Sequence, residues 1–133
     1  DVDDATRMLR LLRGRTHSVF TGVAALGTET GKSVAVACES RVTIRPLSDA
    51  ELLNYIAFEN PMDKAGAYAV QDKSAGLAES VDGCYLNVVG LPLCDVMTLL
   101  DGFFAHTQFR SGWRPPPECV DCALSQRLEA HTP

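Results

Sequence analysis

The sequence predicts a mixed α/β domain, because an amphipathic helix, a hairpin of alternating apolar residues and further helices share one chain. Its 133 residues suffice for a single core, which at this size buries about two-thirds of the surface of the unfolded chain. Hydrophobic residues make up 46% and charged residues 22%, close to the globular average, which excludes a wholly disordered chain. The formal charge of -5 argues against a binder of nucleic acid polymers, which needs a basic surface.

The first third of the chain predicts one helix followed by a hairpin. Residues Val2 to Arg13 place four apolar side chains on one helical stripe, and Gly14 suits the position after the helix end. His17 to Ala25 alternates as a strand does, and a second strand resumes at Val34 and continues through Ile44. The apolar stripe of the helix consists of Ala5, Met8, Leu9 and Leu12.

The middle of the chain predicts two helices that flank a second hairpin. Ser48 precedes Glu51 by three residues, a capping-box pattern for a helix that Asn60-Pro61 ends. Gly66 to Gln71 fits a short helix or turn. Ala75 to Val81 is predicted as a strand, and a tight turn at Asp82-Gly83 leads into the apolar run Tyr85 to Val89 as in a β-hairpin. A last helix is predicted from Leu91 to Phe104, with Pro92 in its first turn.

The organisation predicted is a domain over residues 1–106 and an irregular extension over residues 107–133. The extension contains Trp113 and three consecutive prolines, and it lacks apolar periodicity. No apolar run reaches the roughly 20 residues that a bilayer requires, and the start has no signal-peptide pattern. We therefore expect a cytoplasmic protein without membrane association.

Two short motifs have structural interpretations that outweigh functional ones. Gly27 to Ser33 resembles a phosphate-binding P-loop but has three residues between its glycines instead of four, and it leads into a strand, so we interpret it as a hairpin turn. Arg7, Arg10 and Arg13 share a helix face and, with Arg15, could approach an anion. A solvated face that includes an Asp3 to Arg7 pair is the favoured interpretation.

The cysteines do not form a recognisable framework along the sequence. Their odd number and scattered positions favour reduced thiols over disulfides. Cys119 and Cys122 have zinc-ligand spacing, with His106 and His131 as conceivable further ligands, but a second close pair is missing from the sequence. We therefore expect no zinc site and no other metal ligand set in the chain. The five cysteines are Cys38, Cys84, Cys94, Cys119 and Cys122.

The polar segment from Glu59 to Gln71 concentrates the chemistry of the chain. Asp63 suits a cation, Lys64 a phosphate oxygen, and Gln71 offers the paired donor and acceptor that read a base edge. Residue types alone favour the simpler interpretation, a polar connecting loop.

Longer strings in the sequence resemble the signature of the Maf family. They include Asp63-Lys64-Ala65-Gly66-Ala67-Tyr68-Ala69-Val70-Gln71, Asn87-Val88-Val89-Gly90-Leu91-Pro92-Leu93, and Arg13 to Val23. Arg45-Pro46-Leu47-Ser48 matches in order and spacing, and the resemblance spans residues 3 to 104.

The resemblance implies a fold like that of the inosine-triphosphate pyrophosphatases and cleavage of a nucleoside triphosphate to the monophosphate and pyrophosphate. It further implies dTTP, UTP or modified nucleotides as substrates, a divalent cation (Mg²⁺ or Mn²⁺), and a homodimer. Gln71 matches a specificity glutamine of the dTTP/UTP type, and Asp63 and Lys64 match a loop beside the active cleft.

Departures from the family pattern lead us to expect an N-terminally truncated member without a catalytic residue of its own. The family's Ser-x-Ser-Pro-Arg-Arg, Ala-Asp-Thr and Lys-Pro motifs do not occur in this sequence. Asn60 and Asp72 replace a usual glutamate and glycine. The alternative function is a non-catalytic Maf-like module that binds nucleotide or another protein.

Overall fold

The computed structural model describes residues 1–59, 61–71, 76–103, 116–119 and 122. Three strands form an antiparallel sheet in the order β1-β2-β3. The strands are β1 (Thr16–Leu26), β2 (Ser33–Ile44) and β3 (Ala78–Gly83). The helices are α1 (Val2–Leu12), α2 (Asp49–Glu59), α3 (Tyr85–Val89) and α4 (Leu93–Asp101), and the 3₁₀ turns are Pro61–Asp63, Ala65–Ala67 and Pro117–Cys119.

The chain divides into two compact units, and β1 and β2 run through both. Unit 1 comprises residues 1–18 and 41–82, and unit 2 comprises residues 19–40 and 83–133. No helix in the described ranges is both long and apolar enough to cross a membrane.

Helix α1 confirms the first predicted element. The side chain of Asp1 accepts a hydrogen bond from the backbone N–H of Asp4 and so caps the helix. Leu9 is fully buried and Ala5 nearly so, which places the predicted stripe in the core of unit 1. Gly14 follows the helix end with φ of +66°, the left-handed conformation that suits glycine there.

The predicted first hairpin is confirmed, and its turn closes at Gly27. The backbone N–H of Gly27 donates to Lys32 O (2.9 Å), and that of Gly31 donates to Gly27 O (2.8 Å). The turn therefore joins two strands and does not start a helix, as the spacing of its glycines predicted. At the other end of β2, Val42 and Ile44 are fully buried in unit 1.

Helix α2 begins with the predicted capping box. Glu51 N–H donates to Ser48 Oγ (3.2 Å), and the Glu51 carboxylate accepts from Ser48 N–H (2.8 Å). The helix buries Leu52, Tyr55 and Ile56. Local sequence thus determines where α2 starts, and apolar burial determines which face turns inward.

The helix face that carries Arg7 and Arg10 is solvent-exposed, as predicted, but its ion pairs differ from the predicted one. Arg7 pairs with Asp4, three residues away, and not with Asp3. Arg10 donates to the Asp49 carboxylate (2.8 Å), and Arg13 binds the same carboxylate. Asp49 is the first residue of α2, so these contacts attach the start of one helix to the end of another.

The second predicted hairpin is wrong. Asp82 and Gly83 end β3, and the run Tyr85–Val89 is the short helix α3. Gly83 has φ of +107°, a conformation that favours glycine. A Cβ there would also lie 3.1 Å from both Glu39 O and Ser40 Cα of β2, so the close packing against β2 requires glycine as well. Ser40 Oγ donates to Cys84 O (2.8 Å) and anchors the start of α3.

The remaining predicted elements are confirmed in shortened form. β3 begins at Ala78, and α4 begins at Leu93 directly after Pro92. Of the predicted extension over residues 107–133, the structure describes 116–119 and 122, where Cys119 is fully buried. The predicted ends at Ala75 and Phe104, and the residues His106, Trp113 and His131, lie outside the described residues.

Candidate functional site

The segment Asp63–Gln71 lies in unit 1 and forms two consecutive turns. Lys64 N–H donates to Pro61 O, and Ala67 N–H donates to Lys64 O, both at 3.0 Å. Gly66 and Ala67 have φ of +73° and +58°. A positive φ is strained for alanine, and such strain persists only where surrounding contacts enforce it.

Two buried tyrosine hydroxyls enforce the conformation of this segment. Tyr55 OH, from α2, accepts the backbone N–H of Ala69 at 3.0 Å. Tyr68 OH lies 2.9 Å from His17 Nε2 of β1, and the two rings pack edge to face with centroids 5.6 Å apart. The segment is therefore held at Tyr68 and Ala69 by two side chains, His17 and Tyr55, that come from other elements.

Burial sets the ionisation of this His–Tyr pair. It lowers the pKa of His17 below its ordinary value of 6.5 and raises the pKa of Tyr68 to about 12. The second ring nitrogen of His17, Nδ1, is buried and has no hydrogen-bond partner within the described part of the chain. Both groups are therefore neutral at pH 7, and a charged imidazolium would be destabilised here.

Asp63 and Lys64 meet each other in an exposed ion pair. Lys64 Nζ donates to Asp63 Oδ1 at 2.8 Å, and the Asp63 side chain is 76% exposed. The hydrogen bond from Lys64 is the main reason that the pKa of Asp63 is lowered. Because an exposed pair contributes little stability, phosphate or a cation can compete for either partner.

Gln71 ends the segment with an exposed side chain. The structure therefore brings Asp63 and Lys64 together and presents Gln71 to solvent at the end of the same loop. Asn60 and Asp72, the two departures from the family pattern, lie outside the described residues.

Unit 1 contains a cleft of about 250 Å³, and Tyr55, whose hydroxyl binds the segment at Ala69, lies in its lining. Arg45 on its wall donates to Gly76 O (2.8 Å) and to Glu51 (2.9 Å). The backbone N–H of Ser48, followed by the Arg45 guanidinium, lowers the pKa of Glu51 to about 2. The cleft is lined by Arg45, Glu51, Asn54, Tyr55, Phe58 and Glu59.

This cleft contains residues that sequence reasoning did not select as functional. Phe58 is 84% exposed, an unusual state for a phenylalanine and a suitable surface for a planar ring. The sequence marks Arg45 only as part of the string Arg45-Pro46-Leu47-Ser48, and it gives no signal for Asn54. A cation, an amide and an exposed aromatic side chain together can bind a flat ligand that carries negative charge.

A second depression lies in unit 2 and has a different lining. It has a volume of about 420 Å³, lies at the turn Gly27–Thr30 and Phe103, and contains none of the predicted site residues. In the described ranges, no three His, Cys, Asp or Glu side chains are arranged to hold a metal ion.

The fold and the site together define a small mixed α/β domain with a polar loop held by tyrosine hydroxyls and a cleft that contains Tyr55 and Phe58. A family model described as Maf-like protein matches residues 1–103, and the chain belongs to the Maf family. Membership implies the fold shared with the inosine-triphosphate pyrophosphatases.

Curated relatives named dTTP/UTP pyrophosphatase resemble the chain closely. A protein from Dehalococcoides mccartyi is 39% identical over 120 residues, which is 90% of this chain and 54% of the relative. One from Acetivibrio thermocellus is 47% identical over 103 residues (77% and 52%), and one from Dictyoglomus thermophilum is 49% identical over 98 residues (74% and 51%). The chain thus spans about half the length of the curated relatives it matches.

Proposed function

We propose that the chain is the C-terminal, nucleotide-facing half of a nucleoside-triphosphate pyrophosphatase. The substrates proposed are dTTP, UTP or modified nucleotides, cleaved to the monophosphate and pyrophosphate. The observation that carries the proposal is the loop Asp63–Gln71, held by the Tyr55 and Tyr68 hydroxyls in a strained conformation. The names of the relatives support the choice of nucleotide.

In this proposal each of three loop residues binds a different part of the ligand. Lys64 binds a phosphate oxygen, Gln71 reads the edge of the base, and Asp63 contributes one carboxylate to a divalent cation. Mg²⁺ or Mn²⁺ commonly takes one or two protein carboxylates and completes its shell with water and substrate phosphates. A single exposed carboxylate fits that role, and the cation supplies charge neutralisation at the phosphates.

The neighbouring cleft accommodates the remainder of the nucleotide. Phe58 offers a face for stacking, and Arg45 adds positive charge to the wall of the cleft. Arg45 is already paired with Glu51 at 2.9 Å, so it orients the wall of the cleft and is not a dedicated phosphate ligand.

Pyrophosphatase activity is not expected from these 133 residues alone. The sequence contains neither an arginine cradle of the family type nor the Ala-Asp-Thr motif. Without them, water activation and most of the electrostatic stabilisation of phosphoryl transfer are missing. We infer that the residues present bind and select nucleotide, and that activity requires the other half of the family pattern.

Two measurements on the purified chain test this proposal. Calorimetric titration with Mg²⁺ and UTP or dTTP should show saturable binding. Gln71→Ala should lower the affinity. Gln108→Ala, which lies outside the Asp63–Gln71 sequence, is the control and should leave the affinity unchanged. Pyrophosphate release from the same nucleotides should stay at the buffer rate. Binding of neither nucleotide, or steady turnover, would each contradict a distinct part of the proposal.

The proposed homodimer is tested separately by sedimentation equilibrium. A concentration-dependent mass of twice 14.4 kDa supports it. A single species of monomer mass across the accessible concentrations contradicts it.

A further inference from the structure

The strand β1 forms one edge of the sheet and keeps a single register with β2. Near the start of β1, Ile44 N–H donates to Arg15 O at 3.0 Å, and at the hairpin turn Gly27 N–H donates to Lys32 O at 2.9 Å. These two contacts enclose equal lengths of the two strands, so the ladder between them is continuous. The direction of each backbone group of β1 therefore follows from simple alternation.

Every second residue of β1 directs its backbone N–H and C=O groups away from β2. In an antiparallel ladder, the residues of a hydrogen-bonded pair turn both groups toward the partner strand, and their neighbours turn them outward. Arg15 and Gly27 bond to β2, so the outward residues are those with even numbers. Within the ranges that the structure describes, the sheet has no strand on the outer side of β1. In unit 2 the outward residues are Phe20, Gly22, Ala24 and Leu26.

The two edges of the sheet differ in how their sequences protect them. β1 has 11 residues and contains neither a charged side chain nor a proline. β3, at the opposite edge, has 6 residues and carries Glu79 and Asp82. Short length and charge are common protections of an edge against pairing with another chain. The β1 edge lacks both, so it is suited to accept a further strand.

The face of the hairpin beside this edge is apolar and open. Phe20 and Leu26 are each 66% exposed, and a Cβ built at Gly22 would meet no heavy atom within 4 Å. The residues of β2 that lie across from them on this face are small and exposed. An exposed apolar face beside an unpaired edge is typical of an interaction surface. The small residues of β2 are Ser33, Ala35 and Ala37.

The length of the curated relatives indicates which partner fits this surface. The chain spans 54% of the Dehalococcoides mccartyi protein and 52% of the Acetivibrio thermocellus protein. A polypeptide of the remaining length is large enough both to pair with the β1 edge and to cover the apolar face. A second copy of this chain, paired edge to edge through β1, would leave that face exposed. The other half of the family pattern is therefore the better fit.

We propose that the outward edge of β1 from Phe20 to Leu26, with the adjoining apolar face, is the docking surface for the other half of the Maf pattern. That half adds a strand to β1, and backbone hydrogen bonds supply much of the affinity. Such docking does not require a covalent link, so the surface accepts the half as a separate polypeptide. The identity of the partner rests on the proposed function, whereas the surface lies in unit 2 and the loop Asp63–Gln71 in unit 1.

Co-expression with the other half tests the docking surface. The 133-residue chain is produced together with a tagged segment, the part of the Acetivibrio thermocellus relative outside the 103 matched residues. The two should co-purify as an equimolar complex without nucleotide. Ala24→Pro removes an outward N–H that the ladder with β2 does not use, and it should reduce the recovered complex by about tenfold. Ala24→Ser keeps this N–H and is the matched control, which should retain the complex.

Hydrogen exchange of the wild-type chain covers the case in which Ala24→Pro fails to fold. In the chain alone, the amides of Phe20, Gly22 and Ala24 should exchange faster than those of Thr21 and Val23, which donate to β2. In the complex the outward amides should become protected as well, because they then donate to the added strand.

Three outcomes would overturn the proposal. The first is a segment that does not co-purify with the wild-type chain. The second is protection of the outward amides in the chain alone, because another part of the chain would then cover the edge. The third is a dimer of the chain that Ala24→Pro dissociates, which would assign the edge to a second copy.

Pyrophosphate release from UTP, measured on the purified complex, tests the proposed function separately. Turnover by the complex supports both the docking surface and the proposed function. A complex without turnover supports the docking surface and contradicts the proposed function.

Discussion

The hydroxyl of Tyr55 gives the most specific prediction about the candidate site. In Tyr55→Phe the ring and its burial remain, and only the acceptor of the Ala69 N–H at 3.0 Å is removed. A partly buried donor left without a partner costs about 1 to 3 kcal/mol. Since Tyr55 is 6% exposed, little water can replace the hydroxyl, and we expect a loss near the middle of that range.

Urea denaturation followed by circular dichroism measures this loss as a shift of the midpoint at unchanged m-value. Hydrogen exchange adds the local evidence, because the Ala69 amide should lose protection before the amides of α2 do. Calorimetry should show weaker binding of UTP, since the loop that carries Gln71 is no longer held on this side.

The reasoning would be refuted by a specific combination of results. If Tyr55→Phe changes the free energy of unfolding by less than about 0.3 kcal/mol and the Ala69 amide keeps its protection, the hydroxyl does not hold the loop. Phe58→Leu, on the same helix, is the matched control for the stability and exchange measurements only, because that 84% exposed ring makes no contribution to the core.

Three further perturbations have expected outcomes. Because the folded pKa of His17 lies below 6.5, the unfolded state binds more protons, and the free energy of unfolding should fall as pH drops through about 6.5. In His17→Gln the denaturation midpoints, measured from pH 7.5 to 5, should depend less on pH. An unchanged pH dependence would refute the burial argument. Gly66→Ala should lower the free energy of unfolding by about 1 to 2 kcal/mol, because φ at this position is +73°. Gly22→Ala, which has open space at its Cβ position, should lower it by less. Equal losses in the two variants would contradict the argument. Asn87→Leu removes the hydrogen bonds to Val19 O and Ser40 Oγ, both at 3.0 Å, and should lower the free energy of unfolding by about 1 to 3 kcal/mol. An unchanged melting temperature would show that these hydrogen bonds do not stabilise the fold.

The elements determined by local chemistry were predictable from the sequence. The capping box of Ser48 and Glu51 places the start of α2 through contacts three residues apart, and the apolar stripe of α1 selects its buried face. The first hairpin follows from strict alternation and a turn rich in glycine. In each case the deciding interactions lie within a few residues of one another.

The error at α3 shows where local information ends. The run Tyr85–Val89 is short and apolar, so a strand and a helix are equally compatible with it. Tertiary contacts decide: Gly83 packs against β2, and the buried Asn87 amide bonds to Val19 O of β1. A family-signature asparagine thus has a clear structural role in this domain.

The candidate site was predictable only in part, for the same reason. Asp63, Lys64 and Gln71 stand out as residue types along one loop, whereas His17 and Tyr55 come from other elements. The pairing of Arg13 with Asp49 spans 36 residues of sequence and has no local signal.

The central claim is that the loop Asp63–Gln71 faces the nucleotide, and chemical-shift mapping tests it most directly. Amide spectra of the isotopically labelled chain, recorded during addition of Mg²⁺ and UTP, report weak binding residue by residue. The account predicts that saturating shifts concentrate at Lys64, Gln71 and the cleft around Phe58. Shifts confined to the turn Gly27–Thr30, or no shifts at millimolar nucleotide, would contradict it.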